Sequence, residues 1–383
     1  MKIAYDAKRI SHNSTGLGNY SRYIINILSK YHPENQYDLY FPSEGKPGLR
    51  SQIPPKKQIK DFFPAGKLAK KFSFFWRTFG VVSDLQKDRP DLFHGLSNEL
   101  PLGLKKAGIK SVVTIHDLIF IRYPQFYPFI DRIIYRYKFK SACQKADKII
   151  AISEMTKKDI ISYFHIPEKK IEVIYQGCDK SFTQVVKDDK KAEVRKKYNL
   201  PERYILYVGS IESRKNLLLI VKSLGLLKEK VHLVAIGKQT PYIKTVKEHI
   251  QELHLESQVS ILSNIPFDEL PAIYQMASLF IYPSFFEGFG IPVIEALHSG
   301  IPVIATTGSC LEEAGGPDSI YVNPNNASQM CEAINKVLSD KEVAIEMIKK
   351  GKEYVVRFND EIIAEEIIRL YNQIINSEKQ ALL

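Results

Sequence analysis

Pro283-Ser-Phe-Phe-Glu-Gly-Phe-Gly-Ile-Pro-Val-Ile-Glu-Ala-Leu-His-Ser-Gly300 follows an apolar run, Ala277 to Tyr282, that reads as a buried strand. The stretch turns through Gly288 and Gly290 into a helix, with Pro292 suited to its first turn and Gly300 to its end. Glu287 and Glu295 bracket the turn, one just before the helix and one about two turns into it. Between them the backbone N–H groups of Phe289, Gly290 and Ile291 point out of a helix N-terminus, where an anion is favoured. Eight helical residues cover roughly 12 Å. That span suits a ligand with a central diphosphate and hydroxyl-rich ends, a nucleotide-sugar.

The element Glu-x7-Glu, set in Pro-Ser-x-x-Glu-Gly-Phe-Gly-x-Pro-x-x-Glu-Ala, resembles the signature of the retaining GT-B glycosyltransferases of family GT4. The pattern is specific because the strand, the glycines and the proline accompany the two carboxylates. A bare pair of glutamates at this spacing would be a solvated helix face.

The composition is that of a globular protein, with 44% apolar residues over 383 positions, a length that suits two or three domains. Met1-Lys2-Ile3-Ala4-Tyr5-Asp6 begins as a strand and not as a leader, and no apolar run reaches the roughly 18 residues of a spanning helix. Cys143, Cys178, Cys310 and Cys331 lie far apart and form no Cys-x-x-Cys pair, which suggests neither zinc nor disulfides and predicts a reducing cytoplasm. The net charge of +11 is lopsided. Residues 1–180 carry 31 Lys and Arg against 17 Asp and Glu, whereas the remainder carries 23 against 26. A basic first half predicts an anionic partner there: lipid headgroups, a diphosphate-bearing acceptor or nucleic acid.

Apolar strands alternate with amphipathic helices throughout, the pattern of parallel α/β domains. Six strands are expected in the first half, near Ile3–Tyr5, Tyr37–Phe41, Leu92–His94, Ser111–Ile115, Lys148–Ile152 and Glu172–Tyr175. Six more follow, near Tyr204–Val208, His232–Ile236, Val259–Leu262, Leu279–Tyr282, Pro302–Ala305 and Ile320–Val322. The expected division is 1–180, a polar linker 181–200, a second domain 201–358 and a terminal helix 359–383. The resemblance implies a GT-B fold, two doubly wound Rossmann-like domains facing a central crevice, with the terminal helix packed back on the first domain. Ligands of open α/β sheets bind at the carboxyl ends of the strands.

Strand Tyr204–Val208 leads into Gly209-Ser-Ile-Glu-Ser-Arg-Lys-Asn216 and a helix. A basic pair before a helix suits a phosphate, though a solvated basic turn reads the same way. It is similar to the Arg-Lys-Asn form of the GT4 phosphate loop, which implies that Lys215 and Arg214 hold the donor diphosphate beside Gly209. Strand Ser111–Ile115 ends in His116-Asp117, resembling the GT4 position whose histidine contacts the transferred sugar. The loop around Gly16 and Gly18 would let backbone approach a donor closely. Read as a dinucleotide fingerprint it fails: Ser21 replaces the third glycine, and the loop after Ile3–Tyr5 is too long. The run Gly66–Phe79 places Leu68, Phe72, Phe75, Trp76 and Phe79 on one helical stripe opposite lysines, and reads either as a core face or as a membrane-surface helix. A second basic-aromatic run, Tyr135-Arg-Tyr-Lys-Phe-Lys140, favours the latter.

The resemblance implies transfer of a hexosyl residue from a nucleoside-diphosphate sugar, GDP-mannose favoured, to a saccharide or lipid-linked saccharide in cell-surface polysaccharide or glycolipid synthesis. His116, Glu287, Lys215 and Arg214 are the expected catalytic residues. Gly16, Gly18, Gly209, Phe289, Gly290, Ile291 and Glu295 are the expected donor contacts. No Asp-x-Asp motif is found, so no metal and no cofactor are expected. The expected place is cytoplasmic, with an anionic membrane surface as a partner of the basic half and no nucleic acid. A UDP-sugar donor and a nicotinamide dehydrogenase are the alternatives.

Overall fold

The computed structural model describes residues 1–381; the side chains of Lys67, Leu68 and 377–381, and the final two residues, lie outside that description. Two parallel sheets account for all the strands among the described residues. The first contains β1 (Lys2–Asp6), β2 (Gln36–Tyr40), β3 (Ile59–Phe62), β4 (Leu92–Gly95), β5 (Ser111–Ile115), β6 (Lys148–Ala151) and β7 (Ile171–Val173), in the order β3-β2-β1-β4-β5-β6-β7. The second contains β8 (Tyr204–Val208), β9 (His232–Ile236), β10 (Val259–Leu262), β11 (Leu279–Tyr282), β12 (Val303–Thr306) and β13 (Ile320–Val322), in the order β10-β9-β8-β11-β12-β13. Central strands such as Ser111–Ile115 are buried at every position, as helix-covered parallel strands must be. Strand order reverses beside β1 in one sheet and beside β8 in the other, and each reversal opens a site at the strands' carboxyl ends.

The chain divides into two compact units, 1–176 with 359–383, and 177–358. The tail helix Asp360–Ala381 packs on the helix Gly16–Tyr31 of the first unit. Its Tyr371 is fully buried and joins a polar chain through the first unit's core. The Tyr371 hydroxyl lies 3.4 Å from that of Tyr5 and 2.6 Å from His94 Nδ1. His94 Nε2 lies 2.8 Å from Thr114 Oγ1, which is 3.1 Å from the Tyr20 hydroxyl. Burial pushes His94 down to about 3, so it is neutral. With its proton on Nε2, His94 donates to Thr114 and accepts from Tyr371, which in turn accepts from Tyr5.

Three regions depart from the sequence expectation. The strand β3 was not anticipated: Ile59-Lys60-Asp61-Phe62 has charges at its centre, because it is a half-exposed edge pairing only with β2. Residues 181–200 are not a free linker but part of the second unit. Phe182 is fully buried against Tyr274, ring centroids 5.2 Å apart, and the helix Asp188–Tyr198 is tied down by Lys197 Nζ donating to Glu269 at 2.7 Å. The run Gly66–Phe79 is not one helix. It breaks into Lys67–Lys71, Ser73–Phe75 and a π-helical turn Trp76–Gly80, ahead of the helix Val81–Asp88. Arg77 on the π turn is drawn inward, its Nε donating to Asp6 Oδ2 at 3.0 Å and its Nη1 to Glu99 at 2.6 Å. Of the expected stripe Trp76 is buried, Phe72, Phe75 and Phe79 are exposed, and the Leu68 side chain lies outside the described residues.

All four cysteines are free and buried. Among the described residues no helix is long and apolar enough to cross a membrane.

Candidate functional site

In the second unit β11 leads through 283–290 into the helix Ile291–His298. Gly290 has φ +124°, and a Cβ there would sit 2.8 Å from Leu311 Cδ2. The turn therefore requires glycine. The hydroxyl of Thr306 donates to the Ser284 carbonyl, and the Cys310 thiol lies 3.0 Å from the carbonyls of both Glu287 and Phe289. These contacts fix the backbone that carries Glu287.

Arg214 and Lys215 sit on the short helical turn Ser213–Lys215 that follows β8. Asn216, in the left-handed region at φ 57°, closes that turn. Its Nδ2 donates to the carbonyls of Pro283 at 3.1 Å and Pro324 at 2.8 Å. The N–H of Phe285 donates to the Arg214 carbonyl at 2.9 Å. Loops after β8, β11 and β13 are thus stitched together by one amide side chain. Asn216 belonged to the sequence motif, yet nothing in the sequence revealed this role.

The stitching brings three of the expected residues into direct contact. Lys215 Nζ lies 2.7 Å from Glu287 Oε1 and Arg214 Nη1 lies 3.0 Å from the same oxygen. Ser284 Oγ donates to Oε1 at 2.7 Å, and the Tyr282 hydroxyl at 3.3 Å. Arg214 also donates to the Phe286 carbonyl at 2.6 Å and pairs with Glu212 at 2.9 Å. All these donors converge on Oε1, and no described residue donates to Glu287 Oε2. Burial alone would raise the Glu287 carboxyl, but Arg214, Lys215 and the Ser284 hydroxyl outweigh it and hold the group at about 2. Burial, with the neighbouring Arg214 charge, holds the Lys215 ammonium below its usual range, and the ion pair with Glu287 offsets this only in part.

Glu295 is buried in the second turn of the same helix, its Oε2 accepting from the Tyr274 hydroxyl at 2.9 Å. Burial raises its carboxyl to about 7, helped by the charge of Asp179 and opposed by the Tyr274 bond. No described residue donates to its Oε1. Phe289 is buried with its edge toward Phe358, while Ile291 and Gly290 open the helix with N–H groups that donate to no described residue. Gly209 ends β8 and has Gly237 as close neighbour: a Cβ at Gly237 would lie 1.8 Å from the Gly209 carbonyl oxygen. Tyr274, Tyr282, Ser284 and Gly237 were not foreseen; Tyr274 and Gly237 act on partners 21 and 28 residues away, whereas Ser284 and Tyr282 reach the nearby Glu287 only through the fold of the turn.

His116, Gly16 and Gly18 belong to the first unit. His116 follows β5, nearly buried, its N–H donating to Asn98 Oδ1 at 2.8 Å and its Nε2 to the Leu96 carbonyl at 2.9 Å. Burial lowers the ring to about 4, the Leu96 bond notwithstanding, so it is neutral with the proton on Nε2. Its Nδ1 is then an acceptor, and no described residue occupies it. The Tyr20 ring packs edge-on against it at 4.6 Å. Gly18 permits a close approach of the protein to itself: a Cβ there would lie 1.8 Å from the Asn13 carbonyl oxygen. Gly16 is exposed at the first position of the helix Gly16–Tyr31, with open space around it.

Two family models match the chain: Glycosyltransferase Family 4 over residues 21–182 and Glycosyl transferases group 1 over residues 189–354. The chain belongs to the glycosyltransferases of family 4. Similar proteins include the O-antigen chain mannosyltransferase B of Escherichia coli, 26% identical, with 89% of this chain and 91% of that one covered. The O-antigen chain mannosyltransferase RfbU of Salmonella typhimurium is 29% identical over 64% of this chain and 65% of its own. In fold, this glycosyltransferase resembles the crystal structure of Anabaena HepE in complex with UDP and glucose, at a TM-score of 0.76, 17% identity and coverage of 97% and 100%. Both units are Rossmann-like and the fold is of the GT-B class.

The glycosyltransferase's charged cluster sets limits on its chemistry. At neutral pH Glu287 is an ionised acceptor and has no proton to deliver. Lys215 and Arg214 are buried donors beside a helix N-terminus, an arrangement that stabilises negative charge developing on an oxygen. Among the described residues no group of His, Cys, Asp and Glu is placed to hold a metal ion.

Proposed function

We propose that this glycosyltransferase moves a hexosyl group, mannose favoured, from a nucleoside-diphosphate sugar to a saccharide or lipid-linked saccharide acceptor, with retention at the anomeric carbon and without a metal. The observation that carries the reading is the Arg214–Lys215–Glu287 cluster at the head of the helix that bears Glu295. The open Oε2 of Glu287 accepts from a hydroxyl of the transferred sugar, and the open Oε1 of Glu295 accepts from the ribose. The diphosphate lies against Lys215, Arg214 and the N–H groups of Gly290 and Ile291. His116 accepts a sugar hydroxyl at Nδ1.

The acceptor hydroxyl oxygen bonds to the anomeric carbon on the face that the diphosphate leaves. The carbon–oxygen bond to the β-phosphate breaks, its electron pair goes to the phosphate oxygen, and that oxygen takes the acceptor's proton. Arg214 and Lys215 stabilise the charge that grows there. GDP is the favoured nucleotide because relatives similar over much of the chain are named mannosyltransferases. The basic first half supports a cytoplasmic, peripheral position on the inner face of the cell membrane.

The test is thermal stabilisation of the wild type and Glu295→Ala by GDP, UDP, ADP and NAD without added metal. The expected result is a rise with GDP that the substitution reduces, followed by transfer from GDP-mannose to give a product of unchanged anomeric configuration. A rise with UDP alone would replace the nucleotide and keep the site. No rise with any nucleoside diphosphate, or one with NAD only, would overturn the reading.

A further inference from the structure

The helix Phe129–Lys145 has two apolar faces on opposite sides. At about 100° per residue, Tyr135, Phe139, Ala142 and Cys143 cluster on one side, and there Phe139, Ala142 and Cys143 are buried in the first unit's core. Phe129, Ile130, Ile133, Ile134 and Tyr137 fall on the other side, roughly 160° away, and all five are exposed, Tyr137 by 74% and Phe129 and Ile130 by 69% each. A helix needs only the first face to fold against its sheet. Much of the second remains open, although Ile134 is only 43% exposed.

This bare face does not stand alone. Lys138 Nζ lies 5.4 Å from the ring centroid of Phe74, so the broken run Phe72–Phe79 adjoins the helix. Phe72, Phe74, Phe75 and Phe79 are each more than half exposed there. The two segments thus lie beside each other, each with several exposed apolar side chains, beyond the single ones that a folded surface ordinarily shows.

The charge around it has one sign. Residues 129–145 contain five Lys and Arg against Asp131 alone, and residues 67–80 contain four and no acid, of which Arg77 is turned inward; Lys138 also pairs with Glu99 at 3.4 Å. On the helix, Arg136 and Lys140 border one edge of the bare face, and Lys138 and Lys145 border the other. An apolar strip with aromatics, hemmed by cations, matches the boundary between acyl chains and anionic headgroups. A protein partner would have to be both apolar and acidic over the same strip.

We infer that the exposed face of the helix Phe129–Lys145, continued by Phe72–Phe79, docks the first unit on a bilayer that contains anionic lipid. The helix lies in the interface with Phe129, Ile133 and Tyr137 below the headgroups, while Arg136, Lys140 and Lys145 meet the phosphates. The inference deepens the peripheral position proposed above by naming the surface and the lipid charge. Vesicle binding is read without donor or acceptor, so its failure and a failure of the transferase reading are separable.

The full chain is floated with vesicles of phosphatidylcholine alone and of phosphatidylcholine with phosphatidylglycerol. Binding is expected only with phosphatidylglycerol, weakening with salt. Arg136→Ala with Lys140→Ala lowers the affinity about 30-fold, at roughly fivefold per cation. Ile133→Glu with Tyr137→Glu abolishes binding while the thermal unfolding midpoint stays within a degree or two, because both side chains are exposed (about that scale for a surface change). Absence of binding to either vesicle, equal binding to both, or binding unaffected by Ile133→Glu with Tyr137→Glu would overturn the inference. So would a concentration-dependent dimer in solution that the same pair of substitutions dissolves, since a second copy would then be the occupant.

Discussion

The two units handle positive charge in opposite ways. In the second, Arg214 and Lys215 are drawn inside and matched by Glu287 and Glu212 at 2.7–3.0 Å. In the first, Arg77 is likewise drawn inward to Asp6 and Glu99, but other cations stay at the surface, among them Lys71 beside Phe72, Arg132 beside Phe129 and Lys138 beside Phe74. The inward arrangement depends on geometry, because a buried charge without its partner is costly. The outward arrangement depends on number, because each exposed cation acts nearly alone. Single substitutions should therefore be severe in the second unit's cluster and graded on the first unit's surface.

The largest effect is expected for Glu287→Ala, which strands the buried Lys215 and leaves Arg214 with Glu212 alone. Stability should fall by about 3–5 kcal/mol and glycosyl transfer by roughly 100-fold or more. Urea unfolding and turnover would show it, and an unchanged urea midpoint would remove the contrast between the units. Next comes Tyr371→Ala, which opens the first unit's core and strands His94. A loss of about 3 kcal/mol is expected, without change in nucleotide affinity once refolded material is assayed. A loss of nucleotide binding would break the separation.

His116→Ala should lower turnover about 10–100-fold, the range set by losing one or two buried hydrogen-bonding contacts, and leave nucleoside diphosphate binding intact. Equal loss of both would place the residue elsewhere in the reaction. The smallest effect is in pH. Glu295 has its folded carboxyl raised to about 7, so its contribution to folding is present at low pH and is lost as pH rises from the ordinary carboxyl range toward 7. Glu287 is lowered to about 2, so its contribution is present at neutral pH and is lost as pH falls from the ordinary range toward 2. Nucleotide affinity should rise by up to about tenfold between pH 6 and 8 as Glu295 ionises, the change expected of one group. Titration calorimetry on the wild type and Glu295→Gln checks this, and a pH dependence that survives the substitution would assign it to another group.

Glu287, Gly290, Ile291 and Glu295 were legible because they lie within one turn and one helix, where spacing dictates geometry. Arg214 and Lys215 were legible as a motif, but their convergence on a single carboxylate oxygen was not, since Asn216 brings it about across 67 or more residues. Twelve strands were read at the right places, their bounds within two residues. The edge strand β3 escaped because solvent, not packing, chose its Lys60 and Asp61. The polar run 181–200 hid its docking in two apolar residues, Phe182 and Val194. Periodicity says that a face is apolar and not what covers it. That is why Gly66–Phe79 left two readings open and the bare face of the helix Phe129–Lys145 came only with the structure.

The tail helix has a consequence for synthesis. Tyr5 and Tyr371 meet across 366 residues, so the first unit's core cannot close until residue 371 has left the ribosome. The unit encoded in the middle, by contrast, holds all its strands within 177–358 and can fold as soon as that stretch emerges. The order of folding thus inverts the order of the sequence. Until that helix arrives, Tyr5 and His94 lack their partner Tyr371, and the nascent first unit is the vulnerable part of the molecule.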